Sequence, residues 1–507
     1  MIPIFDELHV VSDLHLGGRT GFQICNKGQR LANTIEKFSQ SGPRRVGLVL
    51  NGDIVDFLAE DDGAGSYLDS DGAIAKLTRI FHEDEAFKPV WEALQKFVHT
   101  PDCRLVLVLG NHDVELALPH VREWILDELS GGNEAARGRV LFAVDGAGFA
   151  CTVGGKRVLC VHGNEVDTWN LVDYRALLEV ARSVNRGQAP QEWDANAGTR
   201  LVVDVMNKVK MTYPLVDLLK PETKAVLPVL AALDPSQLSA IGKLLRVATF
   251  LSRDKVRHWT GFLSAEEELN KDADAPTDSE VLAQFLHTHF ADYSGAERED
   301  VDALLLEAYR SVEEGKDPKD SAEVQNVQFL QANVLESFKD YMGMGQGKED
   351  FLRKWLQFQL GADQSFSVTD RDETFVELDK LIGPEVDYLI AGHTHLRRAI
   401  QRAGGKYYYN TGTWIRLIGL PPELLTEKEQ FEAVFKAFQT GTMAALDNLR
   451  LGLSGTTEPR PLVLTPSTVV TIAVDSKTKK TYGVMREAQD NGNLQEVPGT
   501  RMGEGGQ

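Results

Sequence analysis

The chain has 507 residues, more than one ordinary core of about 100 to 200 residues needs. Hydrophobic residues make up 42% and charged residues 25%, which excludes a disordered or membrane-embedded chain. A formal net charge of −21 repels polyanions at long range and argues against duplex nucleic acid as a partner, although a pocket holding cations can still bind a phosphate.

Residues 1–165 read as alternating strands and helices. LHVVSDLHL is a strand ending in polar residues, RLANTIEKFSQ a short helix, and RRVGLVLNGDIVDF a strand ending at Gly52-Asp53. AIAKLTRIFHEDEAFKPVWEALQKFVHT has apolar residues at three- and four-residue spacing and reads as helical. CRLVLVLGNHD is the next strand, VREWILDEL a helix, and RVLFAV, FACTVGG and KRVLCVHGNE are strands. Near-continuous apolar runs mean strands buried on both faces, and the alternation with helices predicts an α/β class with a β-sandwich flanked by helices.

From 166 to 365 the strand signals stop, and segments such as DYRALLEVARSV, SEVLAQFLHTHFADYS and VDALLLEAYRSVEE predict an inserted all-helical cap. The core pattern resumes over 366–416 with a helix at TFVELDKLI and strands at VDYLIAGHTH and KYYYNTGTW. Residues 417–460 read as a second helical insertion, 461–488 as closing strands, and the Gly-rich, polar 489–507 as a disordered tail.

MIPIFDELHVVSDLHL lacks the basic-then-apolar pattern of a signal peptide, and no uncharged stretch of 18 residues or more provides a membrane span. Cys25, Cys103, Cys151 and Cys160 form no CxxC pair and read as buried reduced thiols. A cytoplasmic location is expected.

Five strands end in polar punctuation: Asp13 and His15, Asp53, Asn111 with His112 and Asp113, His162, and His393 with His395. In α/β sheets the site forms at the C-terminal strand ends, so residues 382 positions apart (395 − 13) can converge. Any one block alone is compatible with a helix cap, a turn or a structural histidine. Together, two aspartates, four histidines and one asparagine form a mixed N/O donor set suited to Mn, Fe, Zn, Ni or Co. Without thiolates it is not a structural zinc site. Seven donors exceed one tetrahedral ion, and with one shared carboxylate they imply two divalent metals, a device for phosphoryl hydrolysis.

In that order, DLH, GDIVD, GNHD, HGN and GHTH resemble the five signature blocks of calcineurin-like metallophosphoesterases. The resemblance covers roughly residues 6–165, 372–416 and 467–487. It implies that Asp13, His15 and His395 hold one metal, that Asn111, His162 and His393 hold the other, and that Asp53 bridges them. It implies that His112 is the general acid, that Asp113 orients it, that Asp56 orients a ligand, and that Asn410 lies in a loop beside the site. The reaction expected is hydrolysis of a small-molecule phosphodiester or pyrophosphate by metal-bound hydroxide, with manganese the favoured metal. A phosphomonoesterase, a single-strand nuclease and a non-catalytic scaffold are the alternatives.

SDLHL and a helical insert after the fourth block are similar to UDP-2,3-diacylglucosamine pyrophosphohydrolases. The chain departs from them at His112, where that family carries arginine, and in the 231 positions between His162 and His393. The apolar stretch Val226 to Leu251 reads either as the cap's own core or as an acyl- or aryl-binding pocket. Arg19, Trp169, Tyr174 and Arg175 flank ligand blocks and are candidate substrate contacts.

Overall fold

The computed structural model describes residues 2–40, 44–59, 69–167, 170–188, 193, 199, 202, 206–234, 348–361, 363–453 and 458–503. The chain forms two compact units, one of residues 1–199, 363–417 and 463–507, the other of 200–362 and 418–462.

The first unit is built on two sheets. Its strands are β1 (Ile4–Phe5), β2 (Glu7–Val11), β3 (Val46–Asn51), β4 (Cys103–Val108), β5 (Val140–Ala143), β6 (Phe149–Val153), β7 (Lys156–Cys160), β8 (Tyr388–Ala391), β9 (Arg398–Arg402), β10 (Lys406–Asn410), β11 (Thr468–Val474), β12 (Thr481–Ala488), β13 (Leu494–Glu496) and β14 (Met502–Gly503). One sheet runs β13-β12-β11-β2-β3-β4-β5, with β14 also paired to β12, and the other runs β1-β6-β7-β8-β10-β9. Strands β2 to β5 are parallel in the first sheet, and β7, β8 and β10 in the second.

Period-two alternation splits each strand between two cores. Leu8, Val10, Val49, Val106 and Val108 meet Val158, Cys160, Tyr388, Ile390 and Tyr409 of the opposite sheet. Val11, Leu48, Leu50, Leu105 and Leu107 face the other way, against Leu31, Ile35, Trp91, Leu94, Phe97 and Val121 of the helices Gly28–Ser39, Lys88–His99 and Pro119–Ser130. Beyond the second sheet, Phe375 and Leu378 of helix Glu373–Leu381 pack on Leu389, Ile400 and Tyr408. The layers are helix, sheet, sheet, helix, and strands enclosed on both faces account for the unbroken apolar runs.

The structure refines the sequence reading in one place and departs from it in others. The segment read as helical over 73–100 is helical but broken in two: Ser70–Thr78 passes into a wide turn at Arg79–Glu83, and a new helix starts at Lys88. Asp84 causes the break by accepting the Ala86 N–H, and Pro89 occupies the first turn of the new helix. The charged segment Arg398–Arg402, where no strand was read, forms β9, because its buried arginines pair with Asp370, Asp372 and Asp379. Residues 489–503, expected to be disordered, add strands beside β12, and the buried Thr500 accepts the Tyr409 hydroxyl at 2.8 Å on its carbonyl.

Helix Tyr174–Asn185 belongs to the first unit, with Leu177 and Val180 in its core. In the second unit, helices Glu222–Leu233 and Lys348–Leu360 have Val229, Leu230, Leu352 and Leu356 buried. Helices Pro422–Thr426, Lys428–Thr440 and Met443–Asn448 follow in the segment read as the second helical insertion. The expected all-helical cap also holds the short helices Asn207–Lys210 and Pro214–Asp217 and a strand at Leu219–Lys220, so it is not wholly helical where it is described, and most of Val226 to Leu251 lies outside the described residues. No helix among the described residues is long and apolar enough to cross a membrane.

Candidate metal centre

The polar residues predicted at five strand ends meet at the C-terminal edge shared by the two sheets. Asp13 and His15 follow β2, Asp53 follows β3, Asn111 and His112 follow β4, His162 follows β7, and His393 and His395 follow β8. Main-chain bonds stitch these loops together. Asp13 N–H donates to Gly52 O, His15 N–H to Asp53 O at 2.9 Å, and Gly392 N–H to His162 O at 2.7 Å. Tight loops leave no space for side chains at their glycines. A Cβ at Gly110 would collide with the Asp53 carboxylate and amide, and one at Gly52 with the His162 ring.

The backbone is strained where the donors sit. Seven non-glycine residues among those described have positive φ, and five of them are predicted ligands: Asp13 (51°), His15 (43°), Asp53 (49°), His393 (70°) and His395 (60°). Left-handed conformations cost about 1–3 kcal/mol each in non-glycine residues, and their clustering marks a site whose geometry the fold enforces.

Two donor groups result, sharing Asp53. The first is Asp13, His15, Asp53 and His395, with donor atoms all within 4.8 Å of one another. His15 Nε2 lies 3.2 Å from His395 Nε2 and 3.7 Å from Asp53 Oδ2, and His395 Nε2 lies 3.3 Å from Asp13 Oδ1. Two ring nitrogens this close repel unless a proton or cation lies between them. The second group is Asp53, His162 and His393. His162 Nδ1 lies 2.8 Å from Asn51 O, which fixes an N–H there and makes Nε2, 3.2 Å from Asp53 Oδ2, the atom that would exchange its proton for a cation. Buried His162 Nε2 and Asn111 Oδ1 have no hydrogen-bond partner. Native proteins rarely leave such atoms orphaned, and a divalent cation would satisfy both. Six of the predicted ligands thus lie in groups that could hold a metal ion, with Asp53 Oδ2 facing both groups.

The electrostatics agree. Burial opposes ionisation of Asp53, but the histidines His162, His112 and His15 outweigh it and hold the carboxyl well below its usual range. Burial likewise works against a charged His162, yet Asp53, Asp13 and Glu165 raise it to about 10. A field that holds a proton so firmly attracts a divalent cation by the same means.

His112 stands beside the donors and is 20% exposed. Its backbone N–H donates to Asp53 Oδ1 at 2.9 Å, and its Nδ1 lies 3.3 Å from Asp56 Oδ1. The other oxygen of Asp56 is 3.4 Å from His15 Nδ1, so one buried carboxylate faces both rings. His15, Asp56 and His112 form a further group that could hold a metal ion. With Nδ1 of each ring turned to Asp56, the shared carboxylate instead directs each Nε2 away from itself.

Asp113 corrects the sequence reading. It does not orient His112: its oxygens accept the Gly110 and Ile54 N–H groups, both at 2.7 Å, tying the GNHD loop to the GDI loop. Nor does its side chain cap the short helical turn Val114–Ala117 that follows. Adjacent side chains diverge, and the partner of His112 comes from 56 positions upstream. Burial, reinforced by the charge of Asp53, raises Asp113 to about 7.

Asn410 is fully buried at the end of β10, donating to Gly392 O at 2.6 Å and Thr394 Oγ1 at 3.1 Å while accepting the Gly412 N–H. It pins the turn that carries His393 and His395. The candidate substrate contacts fare differently: Tyr174 lies within the electrostatic reach of Asp53 and Asp113. Arg19 and Arg175 are exposed, and Trp169 lies outside the described residues. Tyr174 fills the space left by Gly146 and bonds to Asn164.

Sequence reasoning missed Ser12, whose hydroxyl bonds both the Asp13 carboxylate and Thr411 Oγ1. It also missed Asp167, whose Oδ2 lies 2.8 Å from His393 Nε2. The one available signal was the run of polar residues continuing past the fourth block in HGNEVDTWN.

The family model for calcineurin-like phosphoesterases matches residues 8–226, which contain the first four ligand blocks. His393 and His395 lie beyond that span, and the fold brings them back to it. No match was found among curated proteins or among solved structures.

Proposed function

We propose that the protein, whose residues 8–226 match the family model for calcineurin-like phosphoesterases, is a two-metal hydrolase of a small-molecule phosphodiester or pyrophosphate. The pairing of His112 with Asp56 beside two donor groups that share Asp53 carries this reading.

Asp13, His15, Asp53 and His395 would hold one divalent cation, and Asp53, Asn111, His162 and His393 the other. Such cations neutralise phosphoryl oxygens and make water nucleophilic near neutral pH. The mixed N/O donors suit transition metals, manganese first. The chain's own contribution is positioning and proton transfer. Asp56 accepts at His112 Nδ1, stabilises the protonated ring and aims Nε2 outward. His112 Nε2–H then protonates the departing oxygen, which a diester with an alkoxide leaving group requires. Asp113 and Asn410 keep the loops in register.

The four cysteines are free and buried, which suits a reducing compartment, and we place the protein in the cytoplasm. Hydrolysis of bis-p-nitrophenyl phosphate, p-nitrophenyl phosphate, cyclic nucleotides and nucleotide-linked lipids, compared in Mn²⁺, tests the substrate class. Diester or pyrophosphate turnover should exceed monoester turnover, and a clear monoester preference would overturn the assignment.

A further inference from the structure

Two donors of the second group, Asn111 and His393, come from different sheets, yet their outer atoms meet on one short segment. Asn111 Nδ2 donates to Asn170 Oδ1 at 3.4 Å. Asn170 Nδ2 donates to Asp167 Oδ2 at 2.7 Å, and this same oxygen lies 2.8 Å from His393 Nε2. The main chain closes the loop, with Asn170 N–H donating to Asp167 O at 3.1 Å and the buried Asn164 donating to Asn170 O at 3.0 Å.

Each link selects an orientation. An asparagine amide can present either oxygen or nitrogen inward. Because Nδ2 of Asn111 is turned to Asn170, the inward atom is Oδ1, the buried acceptor that has no other partner. Asp167 fixes the His393 ring in the same way: an N–H at Nε2 held by a carboxylate leaves Nδ1 as the lone pair. The Asp167 side chain is 28% exposed against 11% for His393, so it lies on the solvent side of the ring.

We propose that Asp167 and Asn170 are positioning residues that set the donor atoms of Asn111 and His393 toward the second metal position. The proposal rests on the two-metal reading above. Its consequence is asymmetric, since the hydrogen bonds that link Asp167 and Asn170 run to Asn111 and His393, the donors of the second position.

Mn²⁺ titration of the full-length protein by calorimetry tests this. Wild type should bind two ions. Asp167→Ala and Asn170→Ala should each weaken one of them about 10- to 100-fold, the range for loss of an orienting partner, with the other unchanged. In a His395→Ala background, which disables the first position, the loss from Asp167→Ala should persist. Asp167→Asn, which keeps an oxygen for the ring N–H, should lose less than Asp167→Ala. Metal-free melting temperatures should match wild type while the Mn²⁺-induced rise shrinks. Two ions bound by wild type and bound unchanged by both alanine variants would overturn the proposal and leave the two-metal reading standing. Equal weakening of both ions with a lowered metal-free melting temperature would assign these residues to folding alone. Fewer than two ions in wild type would remove both readings.

Discussion

Replacing His112 by alanine separates proton transfer from metal binding. The backbone N–H of residue 112, which donates to Asp53 Oδ1, survives the substitution, and the side chain is the only part of the residue turned to Asp56. The donor groups around Asp53 are therefore expected to keep their metals. General acid catalysis contributes about 10²- to 10⁴-fold, or roughly 3–5 kcal/mol at 1.36 kcal/mol per decade. The full loss is expected for a diester with an alkyl leaving group, whose oxygen must be protonated as it departs. For bis-p-nitrophenyl phosphate, whose leaving group departs as a stable anion, the loss should be about tenfold or less. The assay is kcat/KM on both substrates at saturating Mn²⁺, with metal content measured on the same preparations. Asp56→Asn is the comparison, because its carboxylate also faces His15 Nδ1 at 3.4 Å. It should weaken metal binding as well as reproduce the leaving-group dependence. Equal losses on both substrates in His112→Ala would refute the acid role.

Gly110→Ala should lower metal affinity at least tenfold, measured by Mn²⁺ titration, because the new methyl would occupy the space of the Asp53 carboxylate. Glu115 provides a pH test away from the donors. It is buried with one carboxylate oxygen unpartnered, and burial raises it from 4.5 to about 7. A carboxyl with a raised folded pKa favours the folded state below the unfolded value and loses that contribution as pH rises from about 4.5 through 7. The shift corresponds to a contribution on the order of 3 kcal/mol. In denaturant unfolding of the metal-free protein, Glu115→Gln should therefore lose less stability than wild type between pH 5 and pH 8, and parallel curves would contradict this.

The donor set was legible because each ligand block ends an apolar strand, and strand ends at one sheet edge converge whatever their separation in sequence. The division of labour among neighbours was less legible. Asp113 follows His112 directly and suggested itself as its orienting group, but the fold sends that carboxylate to two backbone amides and brings Asp56 to the ring instead. Nothing in the spacing of GNHD distinguishes these outcomes, which depend on how β3 and β4 lie side by side. The C-terminal segment misled for another reason. Its strands contribute main-chain hydrogen bonds at a sheet edge, and a polar, Gly-rich composition carries little trace of such pairing. Arg398 and Arg402 look like surface residues until their aspartate partners, 23 or more positions upstream, are in place.

The shared carboxylate is the centre of the account, and Mn²⁺ stoichiometry in wild type and Asp53→Asn tests it most directly. Two ions per chain are expected in wild type, with both weakened and diester hydrolysis abolished in the variant, because Asp53 Oδ2 faces both donor groups. Undiminished binding of two ions by Asp53→Asn, or no specific binding by wild type, would contradict it.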